Sequence, residues 1–565
     1  MATLAAPRVR PRRAFDLSTA AVLLLVVGIL GLLIVYPLSR VLLLSFIKPG
    51  DPVSPAHLTL ANFSRFFTSG LYQKALVNSL VASGTTVLAS LVLGIPLAYI
   101  LARVKVPFRE ALISLATLPL ILPPFVGAYS WILILGRQGA LTSLIREGLG
   151  IHLPSIIGPF GVIVTMSLSY YPFVLLPLLG ALSSADPHVE ESALTLGASP
   201  LRRILTVTLP LVLPTIGAGA IIVFMRAIGN FGVPALLGGE FYVLPTLIYF
   251  EVTGSFNLHG AGAIALVSTL FSIGSLLALR YITGKGGFVT ITSQARQMTQ
   301  SSHPAARWLG FGFCAAVIGI SLLPHLTVLL ASFAERWAGT PLPTAYSLIN
   351  YRKAFTLSMD AIRNSLVLAV GTTVICMIIG SLMAHTAARK RIPGRWLMDI
   401  TIMLPFVLPG IMVGVAILVA FIVPPFELAG TGTILMIAYF IRRLPYTFRS
   451  AYASLAQTDI ALEEASLTCG ANQSTTFRRV TLPLITPAIA AGATITFATL
   501  LGELTTTLLL YSARWKTISV KIFEFISYDQ TGPAAALGAL LVAAVLVTVY
   551  AANRLSGRNL TSALG

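Results

Sequence analysis

Charge is what this chain has least of. Only 10% of its 565 residues are charged, against about a quarter in ordinary soluble domains. Acidic groups are the scarcest, 19 Asp and Glu against 38 Lys and Arg, while 56% of the chain is hydrophobic. The apolar residues fall in runs long enough to cross a bilayer, which excludes a soluble domain built around one core. A net charge of +19 would suggest nucleic acid in a soluble protein. Among apolar runs it points instead to Lys and Arg gathered at the cytoplasmic side of a membrane, so lipid and not nucleic acid is the expected partner. Three cysteines, Cys314, Cys376 and Cys469, stand far apart, which excludes a disulfide framework, a zinc site and a redox motif. Seven histidines are scattered without carboxylates or tyrosines at ligand spacing, so no metal site is expected. No G-x-x-x-x-G-K-[ST] phosphate loop occurs: Gly284-Lys285 lacks the upstream Gly and the following Ser or Thr. The chain is therefore not expected to hydrolyse ATP or to hold a cofactor, and no nucleophile constellation supports another enzyme activity.

What is present is an all-α polytopic pattern. Twelve apolar segments of spanning length lie near 18–38, 75–102, 111–135, 158–182, 209–229 and 261–283, then 308–332, 363–388, 397–422, 433–455, 484–508 and 533–553. The first follows the basic RVRPRRAF stretch and is not closed by a small-residue cleavage site, so it reads as an uncleaved span. A polar linker, 284–306, separates a first half, 1–283, from a second, 307–565. With both termini inside, most Lys and Arg fall on the cytoplasmic side, including those counted in 442–479. The halves repeat one another. Asn78-Ser79-Leu80 recurs as Asn364-Ser365-Leu366, Ala102-Arg103 as Ala388-Arg389, and Pro119 and Pro123 as Pro405 and Pro409. Six spans per half give two parallel six-helix repeats about an axis along the membrane normal, with a central pathway between them. The proline pairs are expected to bend the third and ninth spans.

One polar stretch also occurs twice. Residues 186–214, DPHVEESALTLGASPLRRILTVTLPLVLP, align without a gap on 459–487, DIALEEASLTCGANQSTTFRRVTLPLITP. Asp186 can cap a short helix with Pro187 at its first position. Glu190 and Glu191 then lie in its first turns, where negative charge suits the helix dipole. Gly197 can end it, and a second short helix can run through 201–207 before Pro210 and Pro214 mark the return to the membrane. Val189, Ala193, Leu194 and Leu196 give the pair an apolar face suited to a groove on another protein.

Both copies resemble the EAA loop of binding-protein-dependent ABC importer permeases. The matching positions are Glu190, Glu191, Gly197, Leu209 and Pro210, and Glu463, Glu464, Ala465, Gly470, Leu482 and Pro483. Ser192 stands where Ala is usual, and Cys469 and Asn472 where small or apolar residues are common. The resemblance implies a type I (MetI-like) fold and places the chain in a bacterial inner membrane. It makes the loops, about 186–210 and 459–483, coupling helices that sit in clefts of two copies of an ATP-binding subunit, which would carry ATP and Mg. Fusion of both halves, and the stretch 118–139, LPLILPPFVGAYSWILILGRQG, resemble permeases of ferric-iron and phosphonate importers. The implied cargo is ferric iron, with phosphonate, sugar phosphate or thiamine as alternatives, delivered by an extracytoplasmic substrate-binding protein. Outer loops 48–74, 137–157, 230–260, 333–362 and 509–532 would receive that protein, through exposed residues such as Tyr72, Arg336, Trp337, Tyr351, Arg514 and Trp515. An ion-driven secondary transporter is the rival, disfavoured by the few carboxylates inside spans.

Within the spans, Arg226 is costly in hydrocarbon and should face protein or water. Asn230 follows one turn later on the same face, and Glu503 occupies its position in the second half. These three residues either line and gate the pathway or hold the halves together.

Overall fold

The computed structural model describes residues 17–184, 187–285, 303–337, 340, 342–390 and 395–556. Asp186 and most of the linker lie outside them. Among the described residues nearly all regular structure is helical, and the strands are a single short antiparallel pair, Ala334–Arg336 with Ala345–Tyr346. Among the described residues nine helices are long and apolar enough to cross a membrane, or there are eleven spans if each of two bent pairs counts as one. In the first half the spans are α1 (Leu23–Ser45), α2 (Gly70–Arg103), the pair α3 (Arg109–Ile121) and α4 (Pro124–Leu135), α5 (Pro159–Ser184), then after the short α6 (Pro187–Thr195) α7 (Ile204–Ile228) and α8 (Leu258–Lys285). The second half has α9 (Pro304–Phe333), α10 (Ile349–Arg389), the pair α11 (Arg395–Val407) and α12 (Gly410–Phe421), α13 (Gly432–Gln457), the short α14 (Ala461–Thr468), α15 (Gln473–Leu501) and α16 (Thr531–Ser556). Helix α13 occupies the tenth expected span, 433–455, and completes the twelve. It is long enough, but Arg442, Arg443 and Arg449 keep it from being continuously apolar.

The repeat seen in sequence becomes a repeated packing device. On α2, Asn78 donates to the Tyr242 carbonyl at 2.9 Å and Ser79 accepts from the Leu244 amide at 2.7 Å. On α10, Asn364 donates to the Arg514 carbonyl at 2.9 Å and Ser365 accepts from the Ile518 amide at 2.8 Å. In each half this Asn-Ser pair satisfies backbone groups of a chain segment that enters the bundle.

Glycines then let the fourth span of each half lie between the second and fifth at near-backbone contact. A Cβ on Gly94 would fall 2.9 Å from Val174 Cβ, and one on Gly219 would fall 3.2 Å from Val174 Cα. The equivalent glycines meet at Thr447: a Cβ on Gly380 would lie 2.6 Å from its hydroxyl oxygen, and one on Gly492 3.0 Å from its Cα.

The proline pairs do more than bend a span. α3 and α4 meet at 98°, and α11 and α12 at 110°. Each corner lies where a proline removes an amide and forces the preceding residue out of helical geometry. The corners reach across the molecule. A Cβ on Gly502 would lie 2.7 Å from Pro123 Cγ, and one on Gly229 3.4 Å from Pro409 Cα. The end of each half's fifth span therefore packs on the other half's corner.

α2 and α10 finish at the same end of the bundle. The start of α9 packs by the end of α2, with a Gly310 Cβ 2.9 Å from Ile100. The far end of α9 holds the start of α10, where Asn350 donates to the Ala334 carbonyl at 2.7 Å. α10 then returns to the side on which α2 ended.

Gly492→Ala places a methyl against backbone that cannot give way. It is expected to destabilise the bundle by about 1–3 kcal/mol, read as a lowered thermal midpoint in detergent. Gly84→Ala in α2, where a Cβ meets nothing within 4 Å, is expected to be neutral or stabilising by up to about 1 kcal/mol. Equal effects of the two would refute the close-packing account.

Candidate functional site

Two constellations stand out, one at the bundle end that holds both repeated loops and one at the centre.

At the loop end, α6 and α14 are the short helices expected from the repeat. The Asp459 carboxylate accepts from the Ala461 amide at 3.0 Å, at the position that repeats Asp186; the cap expected at Asp186 itself lies outside the described residues. Both helices stop at a left-handed glycine, Gly197 at φ +80° and Gly470 at φ +88°, where a side chain would be strained. The expected second helix of each loop is different. It runs through Ile204–Thr208 or Phe477–Thr481 without a break into the fifth span, so it is the first turns of α7 or α15. Pro210 and Pro483 follow directly on those turns, which are wound as π-helix, a local adjustment that accommodates a proline inside a spanning helix.

The paired glutamates divide their roles. Glu190 is 3% exposed. Its carboxylate accepts from Arg103 Nη2 at 2.8 Å and the Thr208 hydroxyl at 3.1 Å, with Arg203 3.9 Å away. Arg103 also donates to the Leu182 carbonyl at 3.0 Å. The second half repeats the bond: Arg389 Nε donates to Glu463 at 2.9 Å and its Nη2 to the Thr458 carbonyl at 3.1 Å. The first glutamate of each pair therefore faces inward and ties its loop to the end of the second span. Glu464 is exposed; the side chain of Glu191 lies outside the described ones. Val189, Leu194 and Leu196 are exposed on the first loop, and Ile460 and Leu462 on the second.

At the centre the expected trio comes together with residues that sequence reasoning missed. Glu503, 6% exposed, accepts from Arg442 Nη1 at 2.6 Å and from Arg443 Nη2 at 2.5 Å. It also accepts from the Thr506 amide at 3.2 Å, while Asn230 accepts from the Val233 amide at 3.0 Å, the same local cap in the other half. Asn230 donates to the Tyr170 hydroxyl at 2.5 Å. Arg226 is half-buried between the rings of Phe173 and Phe406, 5.4 and 5.3 Å from their centroids, with Tyr446 beside it. Gly410 leaves room for Arg442: a Cβ there would lie 2.7 Å from its guanidinium. Thr506 accepts from Arg442 at 2.9 Å and donates to the Gly410 carbonyl at 3.1 Å.

The charge count along the sequence puts Arg442 and Arg443 on the cytoplasmic side. They sit instead in the middle of α13, and two adjacent arginines inside an apolar run are the signal that could have shown it. Arg103 and Arg389 are visible in sequence as a repeated pair, but nothing there names their partners.

The expected outer docking residues are less open than supposed. Tyr72 is buried, donating to Glu251 at 2.5 Å. Trp337 and Trp515 are half-buried, the first donating to the Thr340 carbonyl, and Tyr351 bonds with Ser332. Arg514 is exposed, and the Arg336 side chain lies outside the described ones.

A family model described as binding-protein-dependent transport system inner membrane component matches residues 94–339 and again 376–561. The ferric transport system permease protein FbpB of Actinobacillus pleuropneumoniae is 27% identical over 547 residues, covering 93% of this chain and 77% of that one. A Haemophilus influenzae protein provisionally named ferric transport system permease protein FbpB 1 is 28% identical over 510 residues, 88% of this chain and 79% of its own. A shorter Salmonella typhi protein, provisionally named 2-aminoethylphosphonate transport system permease protein PhnV, is 28% identical over 250 residues, 44% of this chain and 95% of its own.

Arg103→Met leaves buried Glu190 with only the more distant Arg203, 3.9 Å away, as a counter-charge. Breaking a buried pair outright costs about 3–5 kcal/mol, and the remaining partner keeps the loss toward the low end. The expected result is a lower thermal midpoint and faster hydrogen exchange in 187–195, partly restored by adding Glu190→Gln. Wild-type exchange in the single variant would refute the tether.

Proposed function

Because the chain belongs to the family of binding-protein-dependent transport system inner membrane components, we propose that it is a two-half permease of an ATP-driven importer. Two copies of a separate ATP-binding subunit dock on α6 and α14. The observation that carries this is the pair of short helices at one end of the bundle, each with exposed apolar residues and each tied inward by an Arg–Glu bond, buried in the first half and part-buried in the second. A pull on either helix is passed to α2 or α10 through that bond. It then passes to the fourth and fifth spans through the glycine contacts at Val174 and Thr447. Packed elements of this kind move as units and not by continuous deformation. The halves, 1–283 and 307–565 joined by 284–306, would then rock about the central interface.

In this reading both termini and both loops are cytoplasmic, consistent with Lys and Arg gathered at that side. Glu190 and Glu463 act as tethers, while Glu191, Glu464, Gly197 and Gly470 belong to the docking face. Arg226, Asn230 and Glu503 belong to the pathway. An extracytoplasmic binding protein delivers the cargo. Ferric iron is the first candidate, since long fused-chain relatives are named for it. A phosphonate is the second, since a half-length relative is provisionally named for one.

A Cβ on Gly197 or Gly470 meets nothing within 4 Å, and Asp and Asn are the side chains that best tolerate the left-handed backbone there, so Gly197→Asn with Gly470→Asn is the control that separates backbone strain from loss of a docked partner. Gly197→Asp with Gly470→Asp is expected to release the ATP-binding subunit on copurification and to stop ATP-dependent uptake in proteoliposomes, while the detergent-extracted chain elutes as wild type. Retained binding and transport in that variant, or transport by the chain without any ATP-binding subunit, would overturn the importer reading.

A further inference from the structure

The central cluster is unbalanced in charge and unequal between the halves. Three guanidiniums, those of Arg226, Arg442 and Arg443, share one carboxylate, Glu503, among the described residues. Glu503 takes both Arg442 and Arg443, so it neutralises only one of them. Arg226 has no carboxylate within ion-pair distance among the described residues; two aromatic faces and a hydrogen bond to the Tyr446 hydroxyl hold it. The Nε of Arg443, a residue 8% exposed, is buried without a hydrogen-bond partner.

The positions equivalent by repeat are Ser169 and Tyr170 for Arg442 and Arg443, Thr499 for Arg226, and Asn230 for Glu503. Charges on different elements of the two halves thus converge on one place, where α7 of the first half meets α11 and α13 of the second. Packing alone would be served by the same residue in both repeats. An excess of guanidinium charge, with Arg443 buried and Arg226 and Arg442 half-buried, is costly within a span unless something supplies the missing negative charge. A multiply charged cation would be repelled, whereas guanidinium forks match the paired oxygens of a phosphoryl-type group.

We propose that this cluster binds a tetrahedral oxyanion of the phosphate or phosphonate class, taken as free solute or as the anionic ligand of a ferric ion. The proposal rests on the importer reading for its place in the pathway. A bare ferric ion does not rest there. Tyr170, Asn230 and Tyr446 add further hydrogen-bonding groups beside the charges.

The test is equilibrium binding of radiolabelled inorganic phosphate to the full chain in lipid nanodiscs, with and without equimolar ferric ion. Saturable binding is expected in at least one arm. Binding without iron identifies a free oxyanion, and binding only with iron identifies a ferric complex. Arg226→Gln is expected to weaken binding about tenfold or more, the loss of one charge-assisted contact, and Arg226→Lys to weaken it less. No saturable phosphate binding in either arm, or wild-type binding by Arg226→Gln, would overturn the site. Copurification with the ATP-binding subunit reads the importer assignment separately: its absence in the wild type, with phosphate still bound, would sink that assignment and leave the site standing.

Discussion

A charge within or beside a hydrocarbon layer has to be met by the protein itself, and the structure turns on how that is done. Arg103 with Glu190, and Arg389 with Glu463, place an ion pair at the point where a polar loop leaves an apolar helix. Each pair is weak evidence of stability, because desolvation offsets much of the attraction. Its effect is geometric. It fixes a short exposed helix to the end of a long buried one, so that neither can shift alone. The Arg442, Arg443 and Glu503 bonds do the same at the centre, joining α13 to the chain just beyond α15.

The two halves repeat their scaffold but not their chemistry. The Asn-Ser hold, the glycine contacts around the fourth span, the proline corners and the tethered loop all occur twice. These are requirements of packing and of backbone satisfaction in lipid, which are alike for both halves. The residues that face one another across the interface differ, with Arg442 and Arg443 opposite Tyr170 and Arg226. A cargo sees the two halves together, so nothing requires its contacts to be symmetric. On the proposed reading, mechanical coupling at the loops is even while recognition at the centre is one-sided.

The swapped contacts, Gly229 on Pro409 and Gly502 on Pro123, link the two roles. The end of each fifth span carries Asn230 or Glu503 and rests on the opposite corner. A rotation of one half would move both its share of the polar cluster and the corner on which the other half leans.

Much of this was legible in the chain. Long apolar runs determined the helical membrane architecture, because lipid leaves a backbone no other way to satisfy its amides and carbonyls within a span. Repeated Asn-Ser, Arg, proline and Glu-Glu positions determined the two-half plan, and Arg226, Asn230 and Glu503 announced themselves as polar residues where polarity is expensive. Tertiary structure alone decided the rest. Sequence could not pair Arg103 with Glu190, 87 residues away, nor lift Arg442 and Arg443 out of the cytoplasmic count, since hydropathy reports length and not which side of a helix faces protein. It could not distinguish a proline bend from a corner of about 100°, because the chain's direction past a broken hydrogen bond depends on the groups packed against it. It could not place the two corners against the opposite halves, because close approach depends on which glycines meet, and that is fixed only when the helices cross.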